Sequence, residues 1–163
     1  MIAPPQPPDE DKRLAALRAL NILDTSPEER FDRITRLAQR TFGMPIALIS
    51  LIDEKRQWFK SCQGLSVSET PRDVSFCGHA ILEGAVMVVP DATKDPRFAD
   101  NPLVTGEPNI RFYAGQPIES SDGSRLGTLC LIDTVPRVLD AEQRRALRDL
   151  AELVREQISL KPC

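Results

Sequence analysis

Residues 46–62 read IALISLIDEKRQWFKSC, two apolar runs separated by four polar residues. The first run, Ile46 to Ile52, is nearly continuous and too short for a helix, which predicts a strand buried on both faces. Asp53 to Arg56 is a polar turn, and Gln57 to Cys62 is the returning strand. Strands joined by so short a turn run antiparallel, so this stretch predicts a β-hairpin.

Three further strands are predicted along the chain. Ala85 to Val89 is a short apolar run, after the loop sequence of residues 64–72. Arg111 to Ile118 and Arg125 to Ile132 flank the turn sequence Ser120-Ser121-Asp122-Gly123. Because neighbours in sequence are joined by short turns, we expect one antiparallel sheet.

Helical patterns lie at the two ends of the chain. The first helix begins at a cap from Asp9 or Asp11, and the second at the capping box of residues 26–29, SPEE, with its proline at the first helical position. Asp140 and Gln143 form a capping box for the last helix, which runs to about Leu160. The apolar stripes along these helices comprise Leu14, Leu17 and Leu20; Phe31, Ile34, Leu37, Ala38 and Phe42; and Leu147, Leu150, Val154 and Ile158.

This order of elements predicts an α+β fold, with a central antiparallel β-sheet that carries the N- and C-terminal helices on one face. A short helix is also expected at residues 74–82, and a small helix would be tolerated around residues 97–100. With 163 residues, the chain is expected to form a single domain over residues 9–160. The proline-rich residues 1–8 are predicted to be disordered. Residues 161–163 are expected to be the end of the domain, where a longer protein would continue into an output domain.

Composition disfavours several classes of protein. The net charge is −3 and the basic residues are scattered among acids, so a nucleic-acid-binding surface is not expected. No apolar run approaches the roughly 18 residues of a membrane span. We therefore expect a cytoplasmic protein that contacts neither nucleic acid nor membrane.

The chemistry-bearing residues do not form a catalytic motif. The four cysteines contain no C-x-x-C pair, and His79 is the only histidine, so neither a zinc site nor a Ser-His-Asp set is expected. Neither a P-loop nor a G-x-G-x-x-G motif is present. The sequence predicts free thiols, no metal and no enzymatic activity, and it identifies no cofactor.

A set of segments resembles the GAF domain family, the sensor modules of phytochromes, cyclic-nucleotide phosphodiesterases and many bacterial signalling proteins. The resemblance is closest to the bacterial subgroup found ahead of histidine kinase or diguanylate cyclase modules. It covers most of residues 22–137. The segments, in order, are ILDTSPEERFDRITRLAQRTF, IALISLIDEKRQWFKS, SFCGHAI, VVPDATKDPRFADNPLV, IRFYAGQPI and LGTLCLIDTVPR.

The resemblance implies a ligand pocket on the sheet face away from the terminal helices, closed by residues 91–109 as a lid. The N-K-x-F-D-E motif of cyclic-nucleotide-binding members is absent. Chromophore-binding members have a cysteine usually followed by histidine, whereas here the order is Cys77-Gly78-His79. Methionine sulfoxide reductases of this fold use several pocket cysteines, but residues 91–109 contain none that could partner Cys77.

Seven residues are candidates for the pocket. The Cys77 thiol and the titratable His79 ring lie near the predicted start of a helix, beside Phe76. Asp91 and Arg97 are lid charges that would contact a polar ligand. Arg111 and Tyr113 are two residues apart on a predicted strand, so their side chains would face the same side. The alternative for each is structural: core packing, helix or turn capping, or an ion pair that locks the lid. The candidates are Phe76, Cys77, His79, Asp91, Arg97, Arg111 and Tyr113.

The resemblance implies a regulatory domain that senses a small molecule, forms a homodimer through its terminal helices and controls a downstream kinase or cyclase domain. The last helix could supply the dimer seam through Gln143, Leu147, Leu150, Val154 and Ile158. A ligand-free dimerisation or interaction module is the alternative hypothesis. A thiol enzyme that reduces free methionine sulfoxide is the third.

Overall fold

The computed structural model describes residues 1–160, and the predicted chain end at 161–163 lies outside them. Two helices precede the sheet and a long one follows it, with two short helices inserted between the strands. The helices are α1 (Glu10–Ala19), α2 (Glu29–Phe42), α3 (Phe76–Ala80), α4 (Pro102–Thr105) and α5 (Ala141–Ser159). The strands are β1 (Ile46–Ile52), β2 (Arg56–Gln63), β3 (Glu69–Pro71), β4 (Met87–Val89), β5 (Phe112–Glu119) and β6 (Arg125–Asp133).

The six strands form one antiparallel sheet in the order β3-β2-β1-β6-β5-β4, which confirms the predicted α+β fold. Both predicted hairpins, β1–β2 and β5–β6, are present. The edge strand β3 lies inside the segment predicted to be loop. It has three residues, one of them a proline, and little of it is buried. Alternating hydrophobicity is the sequence signal of a half-buried strand, so β3 gives none.

The sheet separates two apolar layers. On one side α1, α2 and α5 pack against alternate strand residues, including Ile49, Leu51 and Phe112. On the other side Leu48 and Tyr113 belong to a second core with α3 and the segment that leads to β5. Strand β1 is buried along its whole length because it supplies side chains to both layers, as its continuous apolar run predicted.

The second helix begins later than predicted. Its first residue is Glu29, and the preceding residue has extended backbone angles, so the prediction that Pro27 occupies the first helical position was wrong. Lys60 explains the difference. Its buried ammonium donates to the Ser26 carbonyl at 2.6 Å and pairs with Glu28 at 2.8 Å. These bonds hold the segment extended, a tertiary effect that a local capping pattern does not contain.

The last helix begins as predicted. The Asp140 side chain accepts a hydrogen bond from the Gln143 amide at 2.8 Å, and the Gln143 side chain accepts one from the Asp140 amide at 3.0 Å. Its apolar stripe through Leu147, Leu150 and Val154 is buried in the core of the domain itself. These three side chains are therefore not free to form the predicted dimer seam.

The proline-rich residues 1–8 contain neither helix nor strand. They lie beside α3, where the Ile2 amide donates to the Arg97 carbonyl at 3.1 Å and the Ile2 carbonyl lies 2.9 Å from His79 Nε2. The predicted disorder of this segment stays a prediction. In the part of the chain that the structure describes, no helix is long and apolar enough to cross a membrane.

Candidate functional site

A cavity of about 370 Å³ lies on the sheet face away from the terminal helices, where the resemblance placed a pocket. Strand residues Leu48, Phe59, Tyr113 and Ile132 form its floor. Its walls come from residues 65–67, from the start of α3, and from the segment between α4 and β5. The volume lies within the range of known small-molecule sites, and the lining is mainly apolar, as in most of them.

The lid is fixed to the rest of the domain by packing and by polar contacts. Phe98 stacks on Phe76 with ring centroids 4.0 Å apart. Asn101 donates to the Val74 carbonyl at 3.0 Å and caps α4 by accepting from the Leu103 amide at 2.9 Å. A side chain that both caps a helix and bonds a neighbouring segment orders the lid in one position.

The small helix that the sequence would tolerate around residues 97–100 does not form in the described lid, where these residues form turns. Asp95 Oδ1 accepts from the Arg97 amide at 2.9 Å, and Asp91 Oδ1 accepts from the Thr93 amide at 3.0 Å. Aspartate side chains that bond the backbone two residues ahead stabilise turns in competition with helices. The helical residues of the lid are instead a single 3₁₀ turn at Ala92–Lys94 and α4.

Three of the seven candidate residues line the cavity, namely Phe76, Cys77 and Tyr113. The phenol of Tyr113 is completely buried and donates to Cys77 Sγ at 3.0 Å. It lies over Gly115, where a Cβ atom would be 2.1 Å from the phenol oxygen. The absence of a side chain at Gly115 therefore leaves the space that the Tyr113 phenol occupies where it bonds to Cys77 of α3.

The other four candidates lie outside the cavity lining of the described residues. His79 contacts Ile2 and the edge of the Phe98 ring, and burial lowers its pKa. Arg97 pairs with Asp95 at 2.8 Å, and Asp91 is the turn cap described above. Arg111 lies one residue before β5 instead of on it. It donates to the Val104 and Ile110 carbonyls at 2.8 and 3.0 Å. Whether any of the seven binds a ligand stays a prediction.

Cys130 on β6 is a cavity residue that the sequence analysis missed. The second thiol beside Cys77 comes from the sheet, whereas the resemblance to methionine sulfoxide reductases pointed to the lid as the source of a partner cysteine. The register of the β5–β6 hairpin would have predicted the position of Cys130. This register pairs Tyr113 with Ile132, and residues two apart on a strand share a face. Cys130 must therefore lie on the same side of the sheet as Tyr113.

The two thiols differ in acidity. Burial alone would raise the pKa of Cys77, but hydrogen bonds from Cys130, Thr128 and Tyr113 to its sulfur outweigh burial and lower the pKa to about 7. The Thr128 hydroxyl lies 3.0 Å from this sulfur. Burial raises the pKa of Cys130 well above its ordinary value, and the hydrogen bond with Cys77 adds to that rise. At neutral pH Cys77 is the more nucleophilic member of the pair.

Gln57 is the second missed residue of the cavity. Its side chain is 5% exposed, and its Nε2 donates to Thr70 Oγ1 at 3.0 Å. Within residues 1–160 its Oε1 atom has no hydrogen-bond partner. A buried acceptor without a donor costs about 1–3 kcal/mol, and Gln57 is one of the residues that line the cavity. Within the same residues, no cluster of three or more histidine, cysteine or acidic side chains is placed to hold a metal ion.

Comparison with known proteins agrees with this architecture. The family model described as GAF domain matches residues 26–158. The chain is 48% identical over 159 residues to a cyclic di-GMP phosphodiesterase of Pseudomonas aeruginosa, in an alignment that covers 97% of this chain and 27% of that protein. The chain therefore spans little more than a quarter of the length of this relative.

Solved structures share the fold at low sequence identity. The GAF domain of an Acinetobacter phosphoenolpyruvate-protein phosphotransferase has a TM-score of 0.65 at 17% identity, over 91% of this chain and 93% of that one. A type II free methionine-R-sulfoxide reductase from Thermoplasma acidophilum has a TM-score of 0.67 at 10% identity, over 88% and 94%. At such identities the likeness shows the fold alone. Because the family model matches most of its length, the chain belongs to the GAF domain family.

Proposed function

We propose that this domain is a non-catalytic sensor that binds a small, largely apolar molecule in the cavity between the sheet and the lid. The observation that carries the proposal is an apolar cavity of about 370 Å³ whose lining includes Gln57, a residue with an unpaired buried acceptor. The ligand that fits has an apolar body and one hydrogen-bond donor. Apolar contacts supply affinity in such sites, and a few polar groups set the orientation.

The charges around the cavity argue against a phosphorylated ligand. Among the cavity-lining residues that the structure describes, the charged one is Glu107, an exposed side chain at the rim. Phosphate groups are usually bound by arginine, lysine or exposed backbone amides, and a carboxylate repels them. Cyclic di-GMP, the molecule in the name of the Pseudomonas relative, is therefore not the ligand that we propose for this cavity.

The proposed output is a catalytic domain joined to this one in a longer protein. The relative is a cyclic di-GMP phosphodiesterase, and this chain aligns with 27% of it, which leaves most of that protein for other functions. A ligand shifts such an output when it binds one of two conformations more tightly. Cavity residue Tyr113 is preceded on β5 by Phe112, which packs on the helix side, so the sheet connects the cavity with α2 and α5.

Native mass spectrometry tests the proposal. Freshly purified protein should show a non-covalent adduct that is lost on denaturation. Gln57→Leu should raise the dissociation constant of the adduct about 5- to 150-fold, because a lost hydrogen bond to a buried polar group costs on the order of 1–3 kcal/mol. Gln63→Leu, on the same strand but outside the cavity lining, is the matched control and should keep the adduct.

Two results would contradict the sensor proposal. One is unliganded protein in the native spectrum together with no thermal shift in a screen of apolar metabolites. The other is turnover of free methionine sulfoxide by the unmutated protein, which would support the thiol enzyme in place of a non-catalytic domain.

Exposed leucines on the terminal helices favour a second function, homodimerisation. Leu37 on α2 and Leu153 on α5 are 45% and 44% exposed, and the two helices pack against each other. Burying a leucine stabilises an interface by about 1.5–3 kcal/mol. These residues replace the predicted seam, whose leucines face the domain core.

Sedimentation velocity measures this association. We expect a dimer for the unmutated chain and at least a tenfold higher dissociation constant for Leu37→Glu with Leu153→Glu, because two carboxylates would be placed in an apolar contact. Val138→Glu is the control, since Val138 is 78% exposed but lies outside both helices. A monomer at every concentration for the unmutated chain, or equal dissociation constants for all variants, would refute dimerisation through these helices.

A further inference from the structure

Two cysteines from different elements meet in the wall of the cavity. Cys77 lies in the first turn of α3 and Cys130 in the middle of β6, and both line the cavity. Both residues are free thiols, and Cys130 lies two residues after Thr128 on the same face of β6. The hydroxyl groups of Tyr113 and Thr128 donate hydrogen bonds to the Cys77 sulfur, and Ser50 Oγ lies 3.9 Å from the Cys130 sulfur. Apolar side chains would fill this part of the core equally well, so packing alone does not explain why polar groups surround the two sulfurs.

We propose that Cys77 and Cys130 form a redox-active dithiol, which a hydroperoxide entering the cavity converts into a disulfide. The proposal assigns a modification site and a class of oxidant. It does not depend on the apolar ligand proposed above, since it rests on the two sulfurs and their donors.

The chemistry balances in two steps. The Cys77 thiolate attacks the terminal oxygen of the hydroperoxide, a sulfur–oxygen bond forms, and the oxygen–oxygen bond breaks. The alkoxide that leaves takes up a proton and becomes an alcohol. The Cys130 sulfur then attacks the sulfenic acid on Cys77, a disulfide forms, and the hydroxyl leaves with the Cys130 proton as water. Two thiols are oxidised, and one hydroperoxide is reduced to alcohol and water.

The surroundings of the two sulfurs assign their roles. Hydroxyl donors stabilise a thiolate on Cys77, and they hold its pKa at about 7 although burial opposes ionisation. Cys130 stays protonated and acts in the second step. Cys62 provides a contrast, because burial raises its pKa and its thiol donates to the Leu65 carbonyl at 3.3 Å.

A disulfide would join α3 to the sheet across the cavity wall. In the reduced protein α3 is held at this point by hydrogen bonds and apolar packing. A covalent link would remove the freedom of α3 to move away from β6, and would therefore change the cavity that the sensor proposal assigns to a ligand.

Intact-mass spectrometry and thiol labelling test the proposal on the full chain with Cys62→Ala and Cys163→Ala. One equivalent of cumene hydroperoxide should remove two hydrogen atoms from the mass and block both remaining thiols from alkylation. Peptide mapping should join Cys77 to Cys130. Cys130→Ser should stop at a sulfenic acid that dimedone traps, and Cys77→Ser should give neither product. Tyr113→Phe should slow the first step about tenfold, because the loss of a hydrogen bond to the sulfur should raise the pKa of Cys77 by about one unit.

Three results would overturn the proposal: a rate of thiol loss no faster than that of free cysteine, a stable sulfenic or sulfinic acid on Cys77 with Cys130 intact, or a disulfide that involves Cys62 in the unmutated chain. Peptide mapping of the unmutated chain identifies the disulfide without any substitution. The test therefore remains decisive even if one of the variants does not fold. Ligand binding is measured separately, so the sensor proposal and the dithiol proposal fail independently.

Discussion

Replacing Glu10 with glutamine is expected to lower the free energy of unfolding at pH 7 by about 3–5 kcal/mol, the usual cost of removing one partner of a buried ion pair. The Glu10 carboxylate accepts hydrogen bonds from two buried guanidinium groups. Arg13 lies 2.6 and 3.2 Å from its two oxygens, and Arg72 lies 2.6 and 3.0 Å from them. The arginine side chains are 1% and 5% exposed. A neutral amide leaves two buried charges without a counter-ion.

The same cluster predicts a pH dependence. Burial opposes ionisation of Glu10, but hydrogen bonds from Arg72 and Arg13 outweigh it and lower the pKa from 4.5 to about 2. The folded protein therefore binds the Glu10 proton less tightly than the unfolded chain does. This stabilisation is fully present above pH 4.5 and is lost as the pH falls through that value towards 2.

Urea unfolding of the unmutated chain and Glu10→Gln between pH 7 and pH 3 measures both effects. The difference between the two proteins should be largest at neutral pH and should shrink below pH 4.5. Glu156→Gln on the last helix is the control and should change stability by less than about 0.5 kcal/mol. A Glu10→Gln variant within about 1 kcal/mol of the unmutated chain at pH 7 would show that the cluster is not a structural element.

Gly127→Ala is expected to destabilise the fold by more than about 3 kcal/mol, the upper end of overpacking effects. Gly127 pairs with Leu51 across the centre of the sheet, beside the register shift in β1 at Ile49/Ser50. A Cβ atom there would lie 1.8 Å from the Ser50 carbonyl oxygen and 2.8 Å from the Leu51 Cα. Both obstacles are backbone atoms of a strand that is hydrogen bonded on both sides, so neither can move aside cheaply.

Thermal or urea unfolding of Gly127→Ala checks this expectation. Gly84→Ala is the matched control, because the nearest side-chain atom to its added methyl group is the flexible end of Arg125 at 3.4 Å. That variant should stay within about 0.5 kcal/mol of the unmutated chain. Equal stability of the two variants would mean that β1 and β6 can separate at this point without cost.

The elements that the sequence predicted well are those whose signal is local. The β1–β2 and β5–β6 hairpins carry apolar runs and polar turns next to each other, and the last helix carries its own cap at Asp140. The elements predicted wrongly depend on distant partners. Lys60 delays the start of α2 from another strand, and the pairing of β3 with β2 creates a strand that has no pattern of its own.

The cavity residues show the same contrast between local signals and dependence on distant partners. Tyr113 and Cys77 were predicted as pocket residues from the family segments, and both line the cavity. Gln57 and Cys130 were not, although each shares a strand face with a predicted aromatic or apolar residue. Finding them requires strand register as well as strand identity. The unpaired state of Gln57 Oε1 depends on every group around it, and no sequence pattern expresses that.

The central claim, that an apolar binding cavity lies between the sheet and the lid, is tested most directly by crystals pressurised with xenon. Xenon enters apolar cavities without needing polar contacts, so it tests the cavity before its natural ligand is identified. The account predicts a xenon site bounded by Leu48, Ile110 and Ile132. Crystals that bind no xenon there, with the lid side chains packed into that space, would contradict the claim and would support an interaction module with a solid core.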